Sequence, residues 1–203
     1  MTFIILLLLS YILGSINSAI IVCFLLKLPS PRTVGSGNPG TTNVLRLGGK
    51  KAAIVTLLGD MLKGFIPVIT AHMFQLSPTA VAYIGLAAVI GHIFPIFYKF
   101  KGGKGVATLI GVMLGFYWLI GGIFLLTWVA VAVITRYSSL AAILATMAAS
   151  VSVIFYINFN TALPFLIMAI IVIIRHHQNI KRLLSKTEAK ITGNYSANFN
   201  CCS

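Results

Sequence analysis

Acidic residues are nearly absent from this chain of 203 residues, which has 2 aspartates or glutamates against 15 lysines and arginines. The two acids, Asp60 and Glu188, lie in separate parts of the sequence. So few carboxylates argue against a carboxylate-bound metal and against a two-carboxylate mechanism. Cysteine is scarce as well: three residues do not indicate a redox compartment, and Cys201 and Cys202 do not stand where a prenylation signal requires a cysteine. We therefore predict no metal site.

Charged residues of all kinds make up only 8% of the sequence, whereas 59% of it is hydrophobic. Several apolar runs reach about 20 residues, the length at which an α-helix crosses a hydrocarbon core of about 30 Å. In lipid the backbone must satisfy its hydrogen bonds internally, so segments of this kind are helical. The sequence therefore predicts an all-α integral membrane protein, in which residues 1–203 form a single polytopic domain. It excludes a soluble globular fold.

The predicted spans are approximately residues 3–26, 52–73, 79–98, 106–117, 119–134, 137–158 and 162–174, followed by a basic tail at 175–203. The stretch 106–134 is ambiguous, because it could form one long tilted helix or two short ones. Two passes place every lysine and arginine except Lys63 on one side of the membrane, as the positive-inside tendency favours. We therefore predict seven transmembrane helices, with the N-terminus outside and the C-terminus in the cytoplasm. The two short passes, of about 14 residues, rise only roughly 21 Å each, so one or both must tilt little, thin the bilayer or be half-buried in the bundle.

The first polar segment, residues 29–49, reads PSPRTVGSGNPGTTNVLRLGG. Its glycines let the backbone turn N–H groups toward one point, and its small polar side chains add hydrogen-bond donors, a combination that suits phosphate oxygens. Arg46 adds a planar fork that holds two oxygens at once, which a lysine cannot do. The alternative is an ordinary polar loop with a proline turn. The candidate site residues of this segment are Ser36, Gly37, Asn38, Gly40, Thr41, Asn43 and Arg46.

The second polar segment lies within GHIFPIFYKFKGGKGVATLIG, residues 91–111. Gly102, Gly103 and Gly105 remove side chains that would block a ligand, and Lys104 offers a point charge. The segment lacks the full spacing and the preceding strand of a P-loop, so that similarity is superficial. We interpret the segment as a second phosphate-binding loop.

The third polar segment, RHHQNIKRLLSKTEAK, spans residues 175–190. If the last helix continues into it, His176 and Asn179 lie on neighbouring turns of one face. A single histidine at a membrane boundary is more often an interfacial residue than a catalytic one. Three such segments on one face of the membrane nevertheless indicate a shared site.

Two ionisable residues lie inside the second predicted span, where an unpaired charge costs about 2.5 to 3.5 kcal/mol on insertion scales. Asp60 and Lys63 are three positions apart, so we predict that they pair rather than contact a substrate. His92, inside the third span, is interpreted as a hydrogen bond between helices rather than as a ligand.

The three segments carry a resemblance to a known family. SGNPGTTNVLR, GHIFPIFYKFKGGKGVAT and RHHQNIKRLL resemble, in the same order, the signature segments of the bacterial membrane acyl-phosphate:glycerol-3-phosphate acyltransferases, the PlsY family. GDMLKG at residues 59–64 resembles a further family element. The chain departs from the family pattern at Asn17, where a proline is common, and at Lys186, where a glycine is common.

The resemblance implies a seven-span helical enzyme that transfers a fatty acyl group from acyl phosphate to the sn-1 hydroxyl of glycerol 3-phosphate. Its products would be lysophosphatidic acid and inorganic phosphate, in the first step of phospholipid synthesis. It implies catalytic roles for Ser36, Arg46, Lys104, His176 and Asn179, and glycerol 3-phosphate binding by the second segment. It also implies the bacterial cytoplasmic (inner) membrane, a site that faces the cytoplasm, membrane lipids as partners, no cofactor and no nucleic acid.

Several alternatives stay open at this level. The general base could be His176 or a substrate phosphate, and we favour the phosphate because nearby cations would lower the basicity of an imidazole. The same cationic loops would suit a transporter or channel for an organic phosphate, although such a protein usually shows an internal repeat and broken helices near the midplane. They would also suit a non-catalytic protein that binds anionic lipids, but this would leave His176 and Asn179 without a role.

Overall fold

The computed structural model describes residues 1–191, and within that range the chain forms nine α-helices and no strand. A short 3₁₀ turn, Ile96–Tyr98, follows the fourth helix. Cys201 and Cys202 lie outside the described residues. The helices are α1 (Thr2–Gly14), α2 (Ser18–Leu25), α3 (Thr41–Met73), α4 (Pro78–Ile93), α5 (Val106–Phe116), α6 (Trp118–Thr135), α7 (Ser138–Tyr156), α8 (Phe159–Arg175) and α9 (His177–Leu184).

Four segments of the described chain are long and apolar enough to cross a membrane: α3, α4 with its following turn, α6 and α7. The count rises to six if two bent pairs, α1 with α2 and α8 with α9, are each taken as one span. The remaining apolar helix, α5, has only 11 residues and rises roughly 17 Å. The described part of the chain is therefore all-helical, and the protein has the composition of a multi-pass membrane protein.

The first apolar run, predicted as one span at 3–26, is interrupted in the structure. α1 ends at Gly14, α2 begins at Ser18, and the two helices meet at an angle of 41°. Asn17 explains the restart, because its side-chain oxygen accepts a 3.1 Å hydrogen bond from the N–H of Ile20 and so caps α2. An asparagine thus turns a continuous apolar run into a broken helix.

The ambiguous stretch 106–134 forms two helices, which separate at the extended residue Tyr117. α5 is buried over most of its length, so neighbouring helices rather than lipid surround it. Its close approach to α3 depends on small residues: a Cβ at Gly64 would collide with the carbonyl of Thr108, and one at Gly111 with the carbonyl of Met61. A short helix is tolerated here because protein covers it.

The third helix begins earlier than predicted, at Thr41 instead of residue 52. Its first part is kinked away from the rest at Gly49, whose φ of 71° is positive, a backbone conformation that glycine adopts readily and other residues rarely do. The second half of the first polar segment is therefore helical. This places Arg46 on a short helical arm at the end of the bundle.

Candidate active site

The three polar segments meet at one end of the helical bundle, where a cavity of about 340 Å³ opens. Five cationic side chains line it and, among the described residues, no acidic one does. Residues 36–39 come from the first segment, Gly102 and Lys104 from the second, and residues 177–179 from the third. The five cations are Arg32, Lys101, Lys104, Arg175 and Arg182. Such a cavity attracts anions, because the charges that line it are all of one sign.

The first loop is held in shape by Asn43, which is 2% exposed. Its side-chain oxygen accepts a 3.0 Å hydrogen bond from the N–H of Ser36, and its amide donates to the carbonyls of Pro31 and Val34 at 2.8 and 3.0 Å. Ser36, Gly37 and Asn38 line the cavity, as predicted for this segment. Gly40, Thr41 and Asn43, also predicted to bind substrate, do not line it. These three side-chain hydrogen bonds of Asn43 are all made within the first loop, so its role is to hold the loop in shape.

The second loop is packed between α4 and α8. The N–H groups of Gly102 and Gly103 donate to the carbonyls of Ile93 and His92 at 3.1 and 3.2 Å, so these amides are already engaged. Arg175 donates from the other side, to the carbonyl of Gly102 at 3.1 Å and to that of Gly103 at 3.3 Å. Gly102 reaches the cavity, whereas Gly103 and Gly105 do not line it. These two glycines serve packing and the turn into α5, where Gly105 has φ 87°.

The side chain of Lys104 belongs to a connected hydrogen-bond network. Its Nζ donates a 2.6 Å hydrogen bond to Oδ1 of Asn179, whose Nδ2 donates to Oε1 of Glu188 at 2.6 Å. Ser139 of α7 donates to the same Oε1 at 2.7 Å, and Nε of Arg182 donates to Oε2 at 2.7 Å. Glu188 therefore holds α9 against α7 and orients the amide that faces Lys104.

The electrostatics of this network follow from burial and crowding of cations. Burial, and then the charges of Arg182, Arg46 and Arg175, lower the pKa of Lys104 to about 8, although Glu188 acts in the opposite direction. Burial favours the neutral acid at Glu188, but hydrogen bonds from Asn179, Ser139 and Arg182 outweigh it and lower the pKa of that carboxyl. Both groups are therefore charged at neutral pH.

His176 lies at the 58° bend between α8 and α9 and is 2% exposed. Its Nδ1 donates a 2.7 Å hydrogen bond to the carbonyl of Val172. Burial, and then the charge of Lys104, lower the pKa of His176 to about 4, so the imidazole is neutral at physiological pH. It does not line the cavity; the neighbouring His177 does.

Arg46, predicted as a phosphate ligand, is half-buried on the first part of α3 and does not line the cavity. Its charge is close enough to lower the pKa of Lys104, so it contributes to the positive field of the site. The structure adds residues that the sequence prediction did not include: Arg32, Arg175 and Glu188. Arg32 donates to the carbonyls of Tyr98 and Lys101 at 3.2 and 2.9 Å and so links the first loop to the second. The scarcity of acids was the only signal that could have singled out Glu188.

A second cluster of ionisable groups lies in the interior of the bundle, away from the cavity. Nζ of Lys63 is 2.9 Å from Oδ1 of Asp60, which confirms the predicted pair. Nδ1 of His92 is 3.7 Å from the same oxygen, so the predicted hydrogen bond between helices is not formed, although the contact joins α3 and α4. Nζ of Lys63 also donates a 2.6 Å hydrogen bond to the carbonyl of Ile16, at the break between α1 and α2.

Taken together, these features describe a multi-pass helical membrane protein with a cationic cavity at one end of its bundle. Residues 4–186 match the family model of the glycerol-3-phosphate acyltransferases. Proteins with that name from Francisella tularensis subsp. novicida and Francisella philomiragia subsp. philomiragia are 59% and 60% identical over 182 residues, which cover 90% of this chain and 89% of each relative. The chain belongs to the glycerol-3-phosphate acyltransferase family.

Two crystal structures of PlsY (YgiH), an integral membrane glycerol 3-phosphate acyltransferase, are similar to this fold at 36% sequence identity. The glycerol 3-phosphate form has a TM-score of 0.89 and the lysophosphatidic acid form 0.86. The similarity covers 94% of this chain and 96% and 95% of the two PlsY chains. The resemblance to the PlsY family that the three sequence segments indicated is confirmed.

Proposed function

We propose that this protein transfers a fatty acyl group from acyl phosphate to the sn-1 hydroxyl of glycerol 3-phosphate, forming lysophosphatidic acid and inorganic phosphate. The observation that carries the proposal is the cavity with five cations at the end of an apolar helical bundle. Both substrates bear phosphate, and the donor also bears a long apolar chain, so they need a cationic site within reach of lipid. Family membership supports glycerol 3-phosphate as the acceptor.

The donor requires little chemical activation, because acyl phosphate is a mixed anhydride. The work of the protein is then to orient two anionic substrates and to stabilise the phosphate as it leaves. In this mechanism Lys104 neutralises the donor phosphate in the cavity, and Arg46 adds positive charge from beside it. Ser36, which lines the cavity, holds a phosphate oxygen or the developing oxyanion. No cofactor enters the reaction.

The transfer exchanges one carbon–oxygen bond for another and moves one proton. The acceptor hydroxyl oxygen attacks the acyl carbonyl carbon, and the bond from that carbon to the bridging phosphate oxygen breaks. The phosphate leaves with the electron pair of that bond, and the hydroxyl proton passes to a substrate phosphate. Asn179, already hydrogen-bonded to Lys104, orients the cation against the phosphate.

A substrate phosphate is the better base because His176 is poorly suited to that role. The imidazole is buried, its Nδ1 is engaged with Val172, and its pKa of about 4 makes it a weak base at neutral pH. A phosphate ester has a second pKa of about 6 and is adjacent to the reacting atoms. His176 then acts as a positioning residue that sets the bend from which α9 presents Asn179.

For the topology we propose seven spans in the bacterial cytoplasmic membrane, with the N-terminus outside and the cavity facing the cytoplasm. The broken pair α1 and α2 would form the first span, and α5 would cross as a short span covered by its neighbours. The distribution of cations supports this arrangement, since seven spans leave every lysine and arginine except Lys63 outside the apolar segments and on one side of the membrane, as the positive-inside tendency favours.

The reaction is tested with purified protein in detergent, acyl phosphate as donor, and phosphate release as the readout. We expect phosphate release and lysophosphatidic acid only when glycerol 3-phosphate is present, and no transfer from acyl-CoA. Lys104→Ala should lose transfer, whereas Lys190→Ala, which removes an exposed cation outside the cavity, should not. Uptake of glycerol 3-phosphate into vesicles without a donor, and without acylation, would instead identify a transporter.

The topology is tested with single cysteines in a variant whose own three cysteines are replaced by serine. Thr33, Gln75 and Lys186 are exposed and suit labelling with a reagent that does not cross membranes. We expect cysteines at 33 and 186 to react only from the cytoplasmic side, and a cysteine at 75 only from outside. Labelling of 33 and 186 from opposite sides would contradict the seven-span arrangement.

A further inference from the structure

The interior cluster of Asp60, Lys63 and His92 does more than neutralise charge, because its side chains also contact the backbone of other segments. The three residues are 1%, 4% and 4% exposed. Ionisable groups inside a membrane protein are costly unless they are paired, and their presence there usually indicates a function. Lys63 satisfies the carbonyl of Ile16, which the break in the first span leaves without a helical partner of its own. The cluster therefore fixes α3 against the broken helix.

The same cluster reaches the second phosphate-binding loop through His92. A Cβ at Gly103 would collide with Nε2 of His92 and would come within 3.0 Å of its Cε1, so the backbone of Gly103 rests on the imidazole. Asp60 faces the opposite side of the ring, with Oδ1 3.7 Å from Nδ1. The imidazole is thus enclosed between a carboxylate in the bundle and the backbone of the loop.

The position of this loop determines where Lys104 enters the cavity. Arg175 holds the carbonyls of Gly102 and Gly103 from the cavity side, and His92 supports Gly103 from the membrane side. Lys104 follows directly and contacts Asn179 at 2.6 Å. A displacement of the imidazole would therefore move the loop and the ammonium group together.

We infer that His92, held by Asp60 and Lys63, is a positioning residue for the Gly102–Lys104 loop and so tunes binding of glycerol 3-phosphate. The inference rests on the proposed function for its effect on substrate, but its effect on the loop is independent of any reaction. His92 does not touch substrate in this arrangement, because it does not line the cavity.

The test compares His92→Ala with His72→Ala, which removes an exposed histidine from the far end of α3. Amide hydrogen exchange of a peptide covering residues 99–106 reports the loop, and steady-state kinetics report its effect on substrate. In His92→Ala we expect faster exchange in that peptide and a KM for glycerol 3-phosphate raised about tenfold, with kcat within about twofold of wild type. His72→Ala should change neither.

A second pair of variants tests the contact itself. Gly103→Ala alone should raise the KM for glycerol 3-phosphate, because the added methyl meets the imidazole. In the His92→Ala background the methyl has room, so the same substitution should cost less, and the two effects should not add. If His92→Ala fails to fold, His92→Gln takes its place, with a smaller expected rise because it keeps a planar polar group beneath the loop.

Two failures are distinguishable. Loop exchange and KM in folded His92→Ala equal to those of His72→Ala, or strictly additive effects with Gly103→Ala, would overturn the positioning role. Absence of any acyl transfer by the wild-type protein would overturn the proposed function, and in that case loop exchange alone decides the role of His92.

Discussion

The two acidic residues of the sequence lie in contrasting surroundings. Glu188 bonds through both carboxylate oxygens, to Ser139 and Asn179 at one and to Arg182 at the other, beside a cavity open to solvent. Oδ1 of Asp60 pairs with Lys63 at 2.9 Å in the bundle interior, and Nδ1 of His92 lies 3.7 Å from the same oxygen, beyond hydrogen-bond distance. Each carboxylate pairs with a cation, but Glu188 accepts hydrogen bonds from two further side chains.

The difference shows that a carboxylate paired with a cation can serve two purposes. A saturated carboxylate fixes the orientation of each donor around it, which a site that binds phosphate requires. A carboxylate held mainly by charge tolerates small shifts between helices. It also neutralises a lysine whose unpaired charge would be costly inside the membrane. We therefore expect changes at Glu188 to affect catalysis per folded molecule, and changes at Asp60 to affect the amount of folded protein more.

Glu188→Ala should have the largest effect. It removes the acceptor for three donors, and since a hydrogen bond to a charged group contributes about 1.5–3 kcal/mol, an effect on the transition state equal to even two of these bonds would lower kcat/KM at least roughly a hundredfold. Glu188→Gln keeps an oxygen for Asn179 and Ser139 but not the charge for Arg182, so it should fall between. Kinetics normalised to folded protein, judged by size-exclusion chromatography, check this. A larger loss of activity per folded molecule in Asp60→Asn than in Glu188→Ala would contradict the expected order of the two carboxylates.

Arg46→Lys asks whether the cavity depends on hydrogen-bond geometry or on charge alone. If Arg46 grips phosphate with its planar fork, lysine should lower kcat/KM at least roughly tenfold, an effect of about 1.4 kcal/mol. Lys50→Ala, at an exposed cation just after the Gly49 kink, serves as the control and should be nearly normal. Normal activity of Arg46→Lys would reduce Arg46 to a contributor to the electrostatic field.

The dependence of kcat/KM on pH reports the protonation of Lys104 in the cavity. Lys104, with a pKa of about 8, is charged below that pH and loses its proton above it. Because kcat/KM reports the free enzyme, it should fall by about tenfold between pH 7 and pH 9. The substrate phosphate, with a second pKa of about 6, is already dianionic there and does not explain the fall. Lys104→Arg should keep its charge and flatten this limb; an unchanged limb would assign it to another group.

Much of the architecture and part of the site follow from sequence alone. Apolar runs of membrane length must be helical, so the all-helical class is determined by composition and periodicity. The i, i+3 spacing of Asp60 and Lys63 was enough to predict their pair, since the helix itself brings them together. Ser36, Asn38 and Lys104 were selected because their residue types suit phosphate, and Asn179 because of its helical spacing from His176 and the family resemblance; all four line the cavity.

Tertiary contacts decided the rest, because they join residues that are distant in sequence. Asn43 has the same chemistry as Asn38, but only the fold shows that Asn43 is used to hold the loop. Gly103 reads as an open loop glycine until α4 brings His92 against it. Glu188 becomes part of the site only because the chain after α9 returns to Ser139 on α7. Sequence specifies which groups can bind phosphate, whereas packing determines which of them are free to do so.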